Sequence, residues 1–598
     1  MTPRLSVIGI CLLLFVFPQT KAAGGSNPVT LCFANGTSLP FDSVEREGAK
    51  VRCKNAAVTM EYSADSLTPA ERAKYFPENQ PVPVTPLQVT KAAVTPDKAS
   101  DTTPVSTASP SQNPTLNGTA TPSALPATDM AKSQSRIGNV NGSLINGVVE
   151  NYPAPLGVPA SDRFKVELRD NNQTDWQPVF VYQSRSSVNK AQSASWVSFS
   201  FSGQVELRIT PLQDASDSVV IRPKAFQLMP VVKQGQVHVS LNQPRKLSVE
   251  FNGSADHPLY IFANPLETPL KKEVGRELVV FNAGIHNIGD RYHLSSHTTY
   301  YLQGGAVLQG SFYGPGKLED VTICGRGILN SGYQKSQHPT KGLLNNISFE
   351  DGSNIRIEGI TCIEAGNFQI KVQSKQPDAR IDIENLKLIG WNPCSDGIHV
   401  SDMDWKDHPV VGNARGMSLR VSDCFIRAND DAILLCDGVA RSEMSDCVIW
   451  DSGMGASFCL SWGGHQPVES CRVDRCYVIH KYGGNPVFRA NHAGEALIHN
   501  VRFSDIFIEG DVSSLVGLKI MNHRYDPDPG HNSIEDIYFK NITAEGQPTN
   551  NFIGGLSEEF QIRRVTFENL NIGGKVILNA ADMNLKINNS VSDVKFLP

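Results

Sequence analysis

Between about residues 144 and 266 the chain alternates apolar and polar residues over short stretches that turn residues separate. Alternation with a period of two places successive side chains on opposite faces of a strand, so each stretch buries one face and exposes the other. Several such strands with turns between them predict a β-sandwich over 144–266. The stretches are Phe164–Leu168, Pro178–Tyr182, Val197–Phe201 and Val219–Ile221.

From residue 267 to 598 the pattern changes to a repeated segment of the form apolar-x-apolar-x-polar-apolar. Its polar positions recur about every 23 to 38 residues, a spacing typical of solenoids, in which each coil buries its apolar face against its neighbours. A β-propeller is the structural rival, but no four-strand blade signature is present. The chain is therefore predicted to be all-β, with an N-terminal β-sandwich followed by a right-handed parallel β-helix. The repeats are Ile355–Ile360, Ile381–Leu386, Leu419–Cys424, Val501–Ile506, Ile537–Ile542 and Val565–Leu570.

Residues 1–22 resemble a secretory signal peptide. Arg4 precedes an apolar run, Ile8–Phe17, while Thr20 and Ala22 supply small residues at the −3 and −1 positions of a cleavage site. The run is short for a bilayer crossing. We therefore predict an exported protein, secreted or periplasmic, with no membrane span once the signal is removed. An uncleaved anchor is the alternative.

Two further segments precede the sandwich. Residues 29–80 predict a small module with alternating strands such as Lys50–Cys53, to which no role is assigned. Residues 81–143 are rich in Pro, Thr, Ser and Ala, and predict an extended linker. Cys32 and Cys53 lie within the module, and a disulfide is common in small exported modules. Whether these two cysteines pair stays open.

Composition and charge exclude some classes of function. The chain has 598 residues and a net charge of −6, and without a broad basic surface we predict no nucleic-acid partner. A local basic groove is the alternative that stays open. Among its 12 cysteines, Cys424, Cys447 and Cys476 share one phase of successive repeats, which predicts small buried side chains rather than disulfides. No Cys or His spacing typical of a metal site is present, so we predict no metal and no cofactor.

Asn429-Asp430-Asp431 is the strongest candidate for chemistry, with Ser395-Asp396-Gly397 about 34 residues upstream. Equivalent positions on adjacent coils of a β-helix lie about 4.8 Å apart, so the three carboxylates could share one cleft. Repulsion there would raise the pKa of at least one of them. Hydrolysis of a glycosidic bond needs such carboxyl groups, one as acid and others to activate water. The alternative is that these aspartates only close turns.

A second group of side chains, all downstream of Asp396, is predicted to bind substrate. An aromatic ring suits the apolar face of a sugar, while histidines and cations can bond its hydroxyl groups. Each also has an ordinary structural interpretation, as an aromatic residue packed on the coil or a satisfied structural histidine. The candidates are Trp405, Trp462, His465, His480, Lys481, Arg489 and His492.

Six stretches of the chain are similar to one known family. They are Asp217–Pro223, Leu247–Phe251, Leu259–Pro265, Asn429–Ile433, Ala456–Trp462 and Val478–His480. On these stretches the chain resembles glycoside hydrolase family 49, the dextranase and isopullulanase family, in the clan shared with polygalacturonases. The resemblance runs from about Asp162 to about Gly573. Its first three stretches are the most informative because they lie in the sandwich, which polygalacturonases lack.

The resemblance implies an inverting endo-hydrolase. By motif, Asp430 is similar to the general acid, and Asp396 and Asp431 are similar to the pair that activates water. The leading substrate that it implies is an α-1,6-glucan, dextran.

Two features depart from the family pattern. The loop between the first and second aspartates is longer and carries three more carboxylates, which could reshape the subsites and weakens the transfer of the family's substrate to this chain. The Asn-Thr-Asp and Gly-His-Gly signatures of polygalacturonases are also absent. The additional aspartates are Asp402, Asp404 and Asp407, and the nearest equivalents of the two signatures are Cys394-Ser395-Asp396 and Gly463-Gly464-His465.

The sequence thus predicts an exported, monomeric endo-glycanase that binds a polysaccharide and cleaves it with inversion. Three alternatives stay open. One is a polygalacturonase-like hydrolase, and another is a polysaccharide lyase in which the clustered aspartates would bind calcium. The third is a glycan-binding β-helix without turnover, which the N-terminal module and linker would suit.

Overall fold

The computed structural model describes the backbone of five short strands within 29–63 and most of the chain from residue 147 onward. The predicted signal peptide, the linker, the side chains of Cys32 and Cys53, and Trp405 lie outside the described residues. Within 147–598 the described residues exclude 153–154, 156, 171–173, 186–191, 214–217, 271–272, 333–343, 401–414 and 523–529.

The first five strands form two small antiparallel sheets. One pairs β1 (Val29–Cys32) with β2 (Ser38–Phe41). The other joins β3 (Ser43–Glu47), β4 (Lys50–Lys54) and β5 (Thr59–Ser63). These strands belong to a compact unit, 1–131, and the rest of the chain forms a second unit, 132–598. The role of the N-terminal module stays unassigned.

The second unit begins with two sheets, built from the following strands and a 3₁₀ turn at Lys224–Phe226. The strands are β6 (Val148–Asn151), β7 (Phe164–Asp170), β8 (Gln177–Val179), β9 (Tyr182–Arg185), β10 (Ser193–Ser202), β11 (Val205–Pro211), β12 (Val219–Arg222), β13 (Val231–Lys233), β14 (Gln236–Leu241), β15 (Arg245–Phe251) and β16 (Ser254–Pro265). One sheet has the order β12-β15-β16-β10-β6, with β9 also on β10, and the other has the order β13-β14-β11-β7-β8. All pairs are antiparallel except β10 with β16, which is parallel.

The two sheets bury their apolar faces on each other. Val166, Leu168 and Leu207 of one sheet belong to the same buried cluster as Phe199 and Ile261 of the other. These residues occupy alternate positions of their strands, which is why one face of each sheet is apolar. The predicted β-sandwich is confirmed.

The remaining strands wind into a right-handed parallel β-helix, which confirms the predicted fold class. The strands are β17 (Glu277–Phe281), β18 (Gly284–His293), β19 (Thr298–Leu302), β20 (Ala306–Gly325), β21 (Ile328–Asn330), β22 (Ile347–Glu358), β23 (Thr361–Ile363), β24 (Ile370–Val372), β25 (Arg380–Glu384), β26 (Lys387–Ile389), β27 (Ile398–Val400), β28 (Ser418–Ser422), β29 (Phe425–Ala428), β30 (Ile433–Leu435), β31 (Glu443–Ser445), β32 (Val448–Asp451), β33 (Phe458–Cys459), β34 (Val468–Asp474), β35 (Tyr477–Lys481), β36 (Phe488–His492), β37 (Ile498–Ile508), β38 (Val516–Ile520), β39 (Ile534–Ala544), β40 (Asn551–Gly554), β41 (Ile562–Glu568), β42 (Asn571–Ile572), β43 (Lys575–Val576), β44 (Leu585–Ile587) and β45 (Val591–Leu597), with a 3₁₀ turn at Ala580–Met583. Among the described residues, no helix has the length and hydropathy that a membrane crossing requires.

Each coil contributes to three parallel sheets. The first sheet includes β25, β28, β31, β34 and β41, the second includes β23, β26, β29, β32 and β35, and the third includes β24, β27, β30, β33, β36, β38 and β40. The long strands β20, β22, β37 and β39 bend from one sheet into the next. In-register pairing stacks identical kinds of side chain inside the coil: the rings of Phe503, Phe539, Phe567 and Phe596 follow one another at 5.2, 5.1 and 5.0 Å.

The polar position of the repeat is set by backbone conformation. At this position the chain turns from the first sheet to the second with φ between 48° and 58°, a left-handed conformation that Asn and Asp adopt more readily than most residues. The residues are Asn385, Asp423, Asp446, Arg475, Asp505, Asn541 and Asn569. Cys424, Cys447 and Cys476 each follow one of them and are buried free thiols, as the repeat phase predicts.

The second sheet packs against the sandwich. Tyr260 and Phe262 of β16 contact Phe425 of β29, with ring centroids 4.8 and 5.3 Å apart. Trp196 and Trp450 belong to the same buried cluster.

Candidate active site

The structure brings the predicted aspartates together at the start of two neighbouring strands of the third sheet. Asp396 lies two residues before β27, and Asp431 lies two residues before β30. Because Ile398 pairs with Ile433, these two aspartates occupy equivalent positions on consecutive coils. Asp430 directly precedes Asp431, so all three carboxylates gather at one edge of the sheet.

Three donors hold the carboxylate of Asp431. Its Oδ1 accepts hydrogen bonds from Nη2 of Arg489 and from the backbone amide of Ala456, the latter at 2.7 Å. Its Oδ2 accepts a hydrogen bond from Nε1 of Trp462 at 2.9 Å, and the Arg489 guanidinium lies 4.3 Å from the centre of the Trp462 ring. Asp431 is therefore charge-paired and fixed in orientation. Trp462 and Arg489, both predicted site residues, are brought to the cluster.

Asp430 is half-buried beside this ion pair. Burial, and after it the charge of Asp431, raises the pKa of Asp430 to about 7. The next coil approaches closely at Gly455, where a Cβ atom would lie 2.2 Å from the carbonyl carbon of Asp430. Asp430 is therefore a carboxyl group that can hold a proton near neutral pH and still reach the surface.

Asp396 is buried, and a histidine contacts it. Nδ1 of His399 lies 2.6 Å from Oδ2 of Asp396. Burial, and then the charges of Asp430 and Asp431, raises the pKa of Asp396 well above its ordinary value. The cluster thus favours binding of at least one proton at neutral pH.

A buried ion pair supports the turn on which the aspartates rest. Asp451 accepts hydrogen bonds from the amide of Gly453 (2.9 Å) and the hydroxyl of Ser457 (3.2 Å), and it lies 3.4 Å from Nζ of Lys481. Lys481 also donates to the carbonyl of Gly455 at 3.3 Å. Burial raises the pKa of Asp451 to about 6 and lowers the pKa of Lys481. The pair holds the turn that backs the cluster.

The predicted role of Lys481 therefore needs a correction. The sequence predicted a contact between this side chain and substrate, but the side chain is 1% exposed and points into the coil. Asp451 was missed by sequence reasoning. The strand register could have identified it, because Asp451 ends β32 at the position that pairs with Lys481 of β35. Aligning the repeats would have placed an acidic and a basic side chain on consecutive coils.

The structure does not bring the predicted histidines to the aspartates. Nε2 of His480 lies 2.7 Å from Oε1 of Glu250 in the sandwich, so His480 joins the sandwich to the β-helix rather than facing a cleft. His492 is fully buried, and burial lowers its pKa to about 4. Both predictions are corrected because protein atoms already surround these rings. His465 lies 3.8 Å from Glu495, and its contact with substrate stays a prediction.

A groove opens beside Arg489 on the outer face of the third sheet and extends toward the C-terminal coils. Its volume is about 510 Å³, and among the described residues its lining carries three cationic side chains, Arg489, Lys519 and Lys586, and no carboxylate. Nζ of Lys519 lies 5.5 Å from the centre of the Phe552 ring, which also lines the groove. Sequence reasoning missed Lys519, Lys586 and Phe552, because each is an ordinary outward residue of a strand.

Ion binding by the aspartates has no support in their arrangement. Within the described parts of the chain, no group of three or more His, Cys, Asp or Glu side chains is arranged to hold a metal ion. Arg489 already occupies one oxygen of Asp431. The calcium-dependent lyase alternative therefore gains nothing from the geometry.

Comparisons with known proteins place this fold among β-helix proteins. No family model matches the chain. A polygalacturonase of Nicotiana tabacum is 26% identical over 250 residues, covering 38% of this chain and 56% of that protein, so the chain spans about half the length of this curated relative. Dex49A from Penicillium minioluteum is similar in structure, with a TM-score of 0.52 and 15% identity over 74% of this chain and 96% of that chain. At this identity the structural similarity shows the fold alone.

Proposed function

We propose that the chain is a glycoside hydrolase that cleaves a polysaccharide with inversion. The observation that carries the proposal is the cluster of three aspartates on adjacent coils, in which Asp430 has a pKa of about 7 and Asp431 is paired with Arg489. An acid that is protonated near neutral pH, beside a carboxylate that an arginine holds in place, suits hydrolysis of a glycosidic bond. The resemblance of six sequence stretches to glycoside hydrolase family 49 supports the same chemistry.

In the proposed mechanism, Asp430 gives its proton to the glycosidic oxygen as the bond from that oxygen to the anomeric carbon breaks. A water attacks the anomeric carbon from the opposite face, and Asp396 takes the proton that this water loses. Asp431 orients the water and faces the positive charge that develops on the sugar. Arg489 and Trp462 hold Asp431 in place, so they act as positioning residues.

Dextran is the first candidate substrate, and the family resemblance is its support. The groove beside the cluster favours a second candidate, an acidic polysaccharide such as polygalacturonate. Among the described residues that line this groove, Lys519 and Lys586 are cationic and none is a carboxylate, and a uronate carboxylate would pair with such cations. The match to a tobacco polygalacturonase adds support for the acidic candidate.

The test is release of reducing ends from dextran, pullulan, arabinan and polygalacturonate by the purified chain. Asp430→Asn should lose about 10²–10⁴-fold of the activity, because the acid is removed. Asp446→Asn is a matched control. This aspartate lies at the turn from the first sheet to the second, and asparagine tolerates its φ of 58°. Near-wild-type activity in Asp430→Asn would remove the assignment.

The remaining alternatives give different products. A lyase would release unsaturated ends that absorb ultraviolet light, and chelators would inhibit it. A binding protein would retain the polymer without releasing reducing ends. We further propose an exported monomer that acts in the medium or the periplasm, which fractionation of cells and sedimentation of the purified chain would test.

A further inference from the structure

His399 contacts Asp396 from an unusual position. It lies on β27 at a position that faces outward, in register with Lys371 of β24 and Leu434 of β30. The ring is nevertheless buried, because it stacks on Phe368 with centroids 3.8 Å apart and planes 9° from parallel. A histidine that is shielded from water on the outer face of a coil is built into the site rather than displayed to solvent.

The protonation state of His399 follows from its surroundings. Burial, and then the positive charge of Lys371, lowers the pKa of His399 well below its ordinary value. The ring is therefore neutral at neutral pH, with one nitrogen as donor and the other as acceptor. Nε2 is buried and has no hydrogen-bond partner among the described residues. A proton on Nδ1 gives the ring a hydrogen bond, whereas a proton on Nε2 would leave a buried donor unpaired.

Asp396 needs such a donor if it is to act as a base. Burial and the charges of Asp430 and Asp431 oppose its ionisation, and the thiol of Cys394 acts in the same direction. Arg489 favours the carboxylate form. A protonated Asp396 could not take a proton from water. Among the described residues, His399 makes the one hydrogen bond to the Asp396 carboxyl group. A donor at this position would stabilise the charged carboxylate form of Asp396.

We propose that His399 is a positioning residue that donates its Nδ1–H to Asp396 and holds it as an oriented carboxylate. This inference rests on the proposed hydrolase function. His399 touches neither the sugar nor the water in this scheme. Its effect passes through Asp396, because the hydrogen bond fixes one carboxyl oxygen and leaves the other to face the water.

The first experiment compares two variants on whichever polymer the wild-type chain cleaves. His399→Phe keeps a ring against Phe368 but removes the donor, while His399→Asn keeps an amide donor near the position of Nδ1. In His399→Phe, we expect kcat to fall by about 10- to 100-fold and the acidic limb of kcat/KM to move up by about one pH unit, with KM nearly unchanged. In His399→Asn, the acidic limb of kcat/KM should lie at the same pH as in the wild type. An unmoved limb in His399→Phe would overturn the proposal.

A second measurement does not depend on activity. Nitrogen-15 NMR of imidazole-labelled wild-type protein reports the tautomer, and His399→Asn assigns the signal by its loss. We expect a neutral ring with its proton on Nδ1 from pH 6 to 8. A ring protonated on Nε2, or a charged ring, would overturn the proposal even if His399→Phe does not fold. If the wild type releases no reducing ends from any polymer, the proposed function fails, and this spectrum still decides the hydrogen bond.

Discussion

Arg489 donates a hydrogen bond to the carboxylate of Asp431 across one intervening coil of the β-helix. Arg489 lies on β36 and Asp431 precedes β30, with β33 between them. Both side chains are almost fully buried, at 2% and 3% exposed. A single buried ion pair thus ties three coils together at the point where the proposed chemistry occurs.

Removing one partner should affect stability and activity together. Arg489→Met leaves the Asp431 charge buried without its cation, so we expect a loss of about 3–5 kcal/mol in the free energy of unfolding. We also expect kcat to fall by about 100-fold or more, because Asp431 loses its orientation. Urea unfolding and a reducing-end assay measure the two effects.

The double variant Arg489→Met/Asp431→Asn is the matched test of this explanation. It removes the unpaired charge and should regain part of the stability without regaining activity. Arg475→Met, which breaks an exposed ion pair with Asp446, should cost less than about 1 kcal/mol. An Arg489→Met protein as stable as the wild type would contradict the role of the pair.

Activity should decline as the pH rises through about 7, because Asp430 must carry a proton to act as the acid. The pKa of Asp430 in the folded protein, about 7, lies above the ordinary value of 3.8. The folded protein therefore binds this proton more tightly than the unfolded chain does, so the stabilising contribution is present at low pH and is lost as the pH rises from about 4 to about 7. Melting temperatures of the wild type and Asp430→Asn should diverge over this window, with the variant gaining relative stability at higher pH. Parallel curves would contradict the raised pKa.

Lys481 should be needed for the turn rather than for substrate. Lys481→Met leaves Asp451 buried without its partner, and we expect a loss of about 3–5 kcal/mol in the free energy of unfolding. The 453–457 turn backs the aspartates, so kcat should fall while KM stays within about twofold. Adding Asp451→Asn should restore stability in part. If Lys481→Met raises KM and leaves kcat unchanged, Lys481 instead contacts the substrate.

The groove lysines distinguish the two candidate substrates. If the polymer is acidic, Lys519→Met and Lys586→Met should each raise KM, with kcat nearly unchanged, and the effect should shrink at high salt. If the polymer is neutral, neither substitution should show a salt-dependent effect. Lys317→Met, at an exposed pair with Glu319, is the control for a lost positive charge. Kinetic measurements at two ionic strengths, with dextran and with polygalacturonate, decide between the neutral and the acidic substrate.

Much of the fold could be predicted because the type of residue at each position of the repeat reflects its local structure. Alternating apolar positions mark the strands, and Asn or Asp marks the left-handed turn between the first and second sheets, as at Asn385 and Asp423. The aspartate cluster could be predicted for the same reason, since register alone stacks Asp396 on Asp431.

Partners of the cluster were harder to predict because they depend on orientation rather than on sequence type. His480 and Lys481 are neighbours on β35 and point in opposite directions, one to the sandwich and one into the coil. A strand pattern shows that neighbours alternate, but it does not show which face meets another domain. His399 was missed because nothing in the pattern shows that Phe368 would bury an outward-facing ring.

The anomeric configuration of the first product tests the central proposal most directly. Proton NMR of a polymer digest, recorded before mutarotation, should show the anomer opposite to that of the cleaved linkage, and the signal should be absent with Asp430→Asn. This result would support Asp430 as the acid of an inverting hydrolase. A first product that retains the configuration of the polymer, or an unchanged rate in Asp430→Asn, would contradict it.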